Sequence, residues 1–487
     1  MTDLLLANGM IRTMDPARPL ARSIACTAGK IESLDENSPA RRTIDLKGKT
    51  VVPGFIDAHV HLLHYGRTKR ELDLTGVTAF DEIVRRVAER AKQVRPGAWI
   101  YGSGYALDEH PHHAALSDAT PDHPVWLVRK DGHSGIANAR AMAMADLSAV
   151  PEGGVVMKDR GVFLENAQRL IERLVPHDSP AQTFLAAQRD AMQMGITAIH
   201  DAMVDDEYLR VLHAIEEARS LRLRVHAMYW HENPDRVIEF MRAQKPAAGV
   251  RLRVRAIKLF MDGSLGSMTA WMIHPPHGVS LLQKEDVVRI GRVAFETGYQ
   301  MCVHAIGDRA NRELLDAYEE LDPKGDVRWR VEHAQHVDPA DFARFSCWIA
   351  SVQPSHCVAD RKRIEEKLGP SRFEGSYAWR RLGRLALGTD APVESLDPRW
   401  TFYCAVTRDG WRPEECLTPE EALRGMTADA AYAGFMEGGV LAPTRPADMV
   451  VLSHDWFTVP PKDVLSSEVL ATLMDGRVGF MSKNFGA

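Results

Sequence analysis

Two periodicities alternate along the chain. Short apolar runs bounded by turn residues recur, and helical spacing fills the stretches between them, which is the pattern of βα units building a parallel sheet. The runs fall at 51–62, 195–201, 223–230, 254–262, 299–307, 329–336, 348–355 and 385–390. Eight parallel strands close naturally into a (β/α)8 TIM barrel, whose functional groups gather at the C-terminal ends of the strands. Before them, residues 4–6, 23–27 and 43–46 read as short strands ended by Asn8-Gly9, Gly29-Lys30 and Gly48. Residues 447–452 and 469–475 repeat that style near the other end. The expectation is a small β-sandwich built from residues 1–52 and 441–487, with the barrel at 53–440.

The spacing is uneven in one place. Over 130 residues separate the first run from the second, far more than one crossover helix needs. Within the excess, 81–94 carries Ile83, Val84, Val87, Ala88, Ala91 and Val94 on one helical face. Residues 124–128 read as a buried strand, and 180–194 as the helix leading into the second barrel strand. Residues 65–180 are therefore expected to be an insertion above the barrel mouth, shaping substrate access.

Composition narrows the partners. Apolar residues make up 45% and charged residues 26%, as in ordinary globular enzymes. A net charge of −6, a pI near 6.4 and the lack of any Lys/Arg cluster provide no field for a nucleic acid backbone. No run approaches the 18 apolar residues of a membrane span, and residues 1–15 lack the basic region of a signal peptide. Six cysteines are scattered with no C-x-x-C pair, which suggests neither a disulfide framework nor a thiolate zinc site and fits a reducing cytoplasm. The expected partner is a small-molecule substrate, with no nucleic acid and no membrane; a homo-oligomer stays open.

The strand ends carry the chemistry. In extended backbone alternate side chains share a face, so Asp57, His59 and His61 in VVPGFIDAHVHL point one way. His-x-His at the end of an apolar strand is a compact hold for zinc or its neighbours, although two polar residues at a strand's solvent end would leave the same trace. Lys258 stands late in the fourth strand, His304 in the fifth, His333 in the sixth and Asp390 in the eighth. A lysine within an apolar strand is paired, neutral or chemically modified, because burying its charge is costly. One such histidine is an ordinary core or rim residue; the whole set, on strands one, four, five, six and eight, marks a candidate metal site. His200, at the end of the second strand, is a further candidate, while alternation turns His336 away.

Longer motifs support a resemblance. VVPGFIDAHVHL (51–62), DGHSGIANARAM (131–142), KLFMDGSLGS (258–267), VHAIGDRAN (303–311), RVEHAQHVDP (330–339), SVQPSH (351–356), LGTDAPVES (387–395) and LTPEEAL (417–423) follow one another across nearly the whole chain. In these the chain resembles the amidohydrolase superfamily, and within it the YtcJ-like metal-dependent hydrolases of the amidohydrolase 3 type, which include N-substituted formamide deformylases. Met268 departs from the arginine many relatives carry after SLGS, which detaches the substrate preference of near relatives from this chain.

The resemblance implies divalent metal, zinc first, at one or two ions per chain. His59 and His61 would hold one ion with Asp390 close to it, His304 and His333 a second, and Lys258, carboxylated on its neutral amine, would bridge them. The alternative for Lys258 is an ion pair with a carboxylate such as Asp262. A water activated as hydroxide would attack an amide-type C–N bond, with Asp390 as general base and then acid. His133, Glu165 and His356 are implied substrate contacts, against plain loop or helix-start roles. The other readings are an aminohydrolase deaminating a heterocycle, an esterase or lactonase, and a non-catalytic binding protein. Such deaminases typically carry Glu three residues after the fifth-strand histidine; position 307 is Gly.

Overall fold

A computed structural model describes residues 1–487 except 37–38, 70, 108, 130–132, 177–178, 266–268, 276 and 486–487. Met268 and the Asp131-Gly132 start of one motif therefore lie outside the described residues. The eight apolar runs form the barrel strands Phe55–Val60, Ile196–Val204, Arg224–Tyr229, Leu252–Phe260, Gln300–Ala305, Arg330–His333, Ile349–Val352 and Arg384–Leu387, paired in parallel in that order. They read as near-continuous apolar runs because most of their residues are buried, as in sheets covered on both faces. Eighth and first strands meet through the residues just past the ladder. Asp390 N–H donates to the His59 carbonyl at 2.7 Å, and His61 N–H to the Ala391 carbonyl at 2.9 Å.

The apolar run 51–62 proves to be two strands in different sheets. Thr50–Pro53 belongs to the sandwich, where it pairs with Met10–Arg12 on one side and Met449–Leu452 on the other. Phe55–Val60 belongs to the barrel. Gly54 stands between them, and a Cβ there would lie 2.2 Å from Thr197 Oγ1, so the crossing point admits no side chain. The sandwich has a four-stranded sheet from the N-terminal segment and a six-stranded sheet shared by both ends of the chain. Leu4, Leu6, Ile24, Val51, Met449, Val451 and Leu473 fill the space between the sheets.

Residues Leu63–Phe184 form a separate compact unit. Its core joins the helix Phe80–Ala91, through Ile83 and Val87, to a six-stranded sheet containing Ile100–Tyr105 and Val125–Arg129. The strands Ser134–Ala137 and Val162–Glu165 of this sheet were not anticipated. Gly135 interrupts the apolar pattern of the first, because a Cβ there would strike the Trp126 ring at 2.2 Å.

Candidate active site

Four histidines at the barrel's C-terminal end are each tied through one ring nitrogen. His59 Nδ1 lies 2.6 Å from Glu332 Oε2. His61 Nδ1 lies 2.7 Å from the Ala202 carbonyl, and His333 Nδ1 2.7 Å from Gln353 Oε1. For His304 it is Nε2 that is tied, to the Gly263 carbonyl at 2.9 Å. Facing acceptors, the tied nitrogens donate, and a neutral imidazole then presents its other nitrogen as a lone pair. Burial lowers the His59 pKa to about 4 and holds His333 well below the usual range, so both favour the neutral form.

The other ring nitrogens of His59 and His61 converge on Asp390, and His356 joins them. Its Oδ1 lies 3.1 Å from His61 Nε2 and 3.7 Å from His59 Nε2, and its Oδ2 lies 3.7 Å from His356 Nε2. Ligand atoms of His59, His61 and Asp390 all fall within 4.8 Å of one another, as do those of His333, His356 and Asp390. His304 packs its ring 4.5 Å from that of His333. Burial alone would raise the Asp390 carboxyl, but a proton or positive charge held between it and the surrounding imidazoles, His61 first, keeps it well below the usual carboxylate range. With His61 donating through Nδ1, a lone pair faces a carboxylate oxygen at 3.1 Å, an arrangement stable only with a proton or a cation between them. The donor set is thus one that fits a divalent metal.

Lys258 is buried and donates from Nζ to His59 Nε2 at 3.2 Å. Burial pushes its pKa down even though Glu332 and Asp390 act to raise it, which favours the neutral amine that carboxylation requires. Asp262 is engaged elsewhere. It accepts from the Ile306, Gly307 and Trp271 amides at 2.8–3.0 Å and lies 3.3 Å from His304 Nε2.

The backbone bends sharply where these side chains emerge. His333, Ala334 and Asp390 have φ of 73°, 41° and 58°, left-handed values that cost non-glycine residues about 1–3 kcal/mol each. Surrounding bonds over-determine the turn at Asp390. Asp57, one layer deeper, accepts from Thr389 Oγ1 at 2.6 Å, Thr389 N at 3.0 Å and His59 N at 3.1 Å, so it binds the eighth strand end to the first.

Other candidates are placed differently. His133 and Glu165 form an exposed pair at 3.0 Å within the separate unit. His200 lies inside its strand rather than at the end, with Nδ1 2.7 Å from Arg330 Nη1 in the barrel core. His336 bonds Ser376 Oγ at 3.0 Å and stays out of the cluster. Arg330, Glu332, Gln353 and Thr389 went unrecognised in the sequence. A signal existed for two of them: Arg330 and Glu332 are opposite charges two apart in an apolar strand, hence on one face, and burying such charges demands pairing.

Comparison with known proteins agrees with this geometry. A model of the amidohydrolase family matches residues 42–480. The chain is 31% identical to the Bacillus subtilis protein YtcJ, over 92% of this chain and 93% of that protein. It is 25% identical to the N-substituted formamide deformylase of Arthrobacter pascens, over 98% of each. A crystal structure of an uncharacterized metal-dependent hydrolase from Pyrococcus furiosus superposes with a TM-score of 0.77 at 27% identity, covering 93% of this chain and 100% of that one.

Proposed function

The chain belongs to the amidohydrolase family, whose members here include metal-dependent hydrolases, and on that premise we propose that it hydrolyses an amide-type C–N bond in an N-formyl or N-acyl amine or a cyclic amide. One observation carries the reading: His59, His61 and His333 are each tied through Nδ1 and leave the other ring nitrogen to a cluster centred on Asp390. His59, His61 and Asp390 would hold one divalent ion, for which zinc suits the nitrogen and oxygen donors. His304 and His333 would serve a second ion, with a carboxylated Lys258 as a further oxygen donor, and His356 would compete as a donor there because of its place beside Asp390. The similarity to a formamide deformylase supports the substrate class.

A bound cation lowers the pKa of water and polarises the substrate carbonyl. The chain's own residues do the rest. Asp390, ionised at neutral pH, accepts the proton of the attacking water and delivers it to the leaving nitrogen. Asp57 and Thr389 hold the backbone that aims it. Gly307 weighs against deamination, because a Cβ there would lie 2.0 Å from the Trp271 carbonyl and leave no room for an acid-base glutamate.

The test is a screen of N-formyl amines, N-acyl amines, cyclic amides and simple esters against the metal-loaded enzyme. Amide-type substrates should show the highest kcat/KM. Turnover confined to esters, or to deamination of heterocycles, would contradict the proposal.

A further inference from the structure

Beneath the metal cluster lies a buried charge pair to which none of the roles above gives a part. Arg330 and Glu332 are both wholly buried in the sixth strand. Arg330 Nη2 donates to Glu332 Oε2 at 3.0 Å, and its Nε comes within 2.7 Å of Glu332 Oε1, a charge contact without hydrogen-bond alignment. The guanidinium is itself fixed by the Ala58 carbonyl at 2.6 Å, Ser351 Oγ at 2.8 Å and His200 Nδ1 at 2.7 Å. Three other strands thus hold one arginine, and that arginine holds one carboxylate. The same carboxylate lies 2.6 Å from His59 Nδ1 and also bonds the Cys302 thiol.

We propose that Glu332, clamped by Arg330, is a positioning residue: it fixes His59 as the Nδ1–H tautomer and turns Nε2 toward Asp390 and Lys258. The inference rests on the reading of His59 as a metal ligand. A carboxylate accepting from the far nitrogen of a ligating imidazole sets the tautomer, fixes the ring orientation and strengthens the donor. The contrast with the other histidines is chemical. His61 and His333 donate through Nδ1 to a neutral carbonyl or amide oxygen, and the Nε2 of His304 stands between the Gly263 carbonyl and Asp262, whereas the Nδ1 of His59 meets a carboxylate that an arginine holds. Arginine is the fitting partner for the carboxylate, since its planar fork stays charged when buried and spans both oxygens. Lysine in its place would supply a point charge without that geometry.

The experiment is a double-mutant cycle read as Zn²⁺ affinity, by competition with a chromophoric chelator on protein stripped of metal. Glu332→Gln should weaken zinc binding by about 10–100-fold, the usual effect of losing such a partner. In a His59→Ala background the same substitution should change affinity by less than about threefold, because its effect passes through that imidazole. An equal loss in both backgrounds would mean a merely structural role and overturn the proposal. Glu332→Gln leaves Arg330 buried without its counter-charge, so Glu332→Gln/Arg330→Gln is measured beside it and should show the same dependence on His59. The metal-free wild type supplies a readout that needs no folded core variant. In histidine-labelled protein, the ¹⁵N signals lost in His59→Ala should report a proton on Nδ1; a proton on Nε2 would overturn the assignment. Should His59→Ala bind zinc as tightly as the wild type, the metal-ligand reading fails, and that result is distinct from a wrong tautomer.

Discussion

Asp390 is the carboxylate on which the side chains of this site converge. Its φ of 58° costs energy that an ordinary strand end would not incur, and two imidazoles approach one of its oxygens while a third approaches the other. Asp390→Asn keeps the shape and removes the base, so folding should be retained while kcat falls at least about a hundredfold. A rate near wild type would refute its role. Lys258→Ala should lose metal content and rate together, and a short-chain carboxylate added to the medium should restore part of both by standing in for the carboxylated side chain. Full metal content and rate without the carboxylate would refute the bridge. At this scale the sequence reveals candidate ligands more readily than their supports. His-x-His and the late-strand Lys, His and Asp stand out because those residue types are unusual in apolar strands. Gln353 and Thr389 do not, because amides and hydroxyls at strand ends are common and only three-dimensional closure shows what they hold.

Loops and glycines at the strand ends set where the candidate ligands stand. The segment after the fourth strand crosses the end of the fifth so closely that a Cβ on Gly307 would meet Trp271 O at 2.0 Å, C at 2.5 Å and N at 2.7 Å. Since these are backbone atoms, relief requires the loop itself to move. Gly307→Ala should therefore cost roughly 1–3 kcal/mol, as overpacking does, and should also disturb His304 through Asp262. An unchanged Tm in thermal denaturation would show that the loop yields freely. All eight barrel strands were legible, because a strand buried on both faces leaves a continuous apolar run whatever its tertiary partners. The division of 51–62 between two sheets was not, since the apolar run continues through Pro53-Gly54 and only the approach of Thr197 shows where one sheet ends.

The C-terminal strands and the barrel are joined by charge as well as by packing. Arg224, opening the third barrel strand, donates to Asp448 at 2.6 Å and also bonds Asp475, both acids flanking the C-terminal strands. Asp448 is only 7% exposed, so Arg224→Met would strand a carboxylate. The loss should be about 1–3 kcal/mol in chemical denaturation, below that of a fully buried pair, with metal content unchanged. No change in midpoint would reduce the pair to decoration. Distant pairings of this kind are invisible in the sequence, where Arg224 and Asp448 are simply two charges far apart. Long motifs spread along the chain nonetheless disclosed the family, because six of the eight mark the ends of barrel strands.

The central claim is that the cluster around Asp390 holds a divalent metal on which hydrolysis depends. Its most direct test is elemental analysis of protein purified without chelator, paired with hydrolysis before and after adding Zn²⁺ or Mn²⁺. The account predicts at least about one ion per chain, lost together with activity on chelation and on His59→Ala/His61→Ala, and regained only by the unmutated chain. Less than about half an ion per chain, with no gain of hydrolysis on adding either metal, would contradict it.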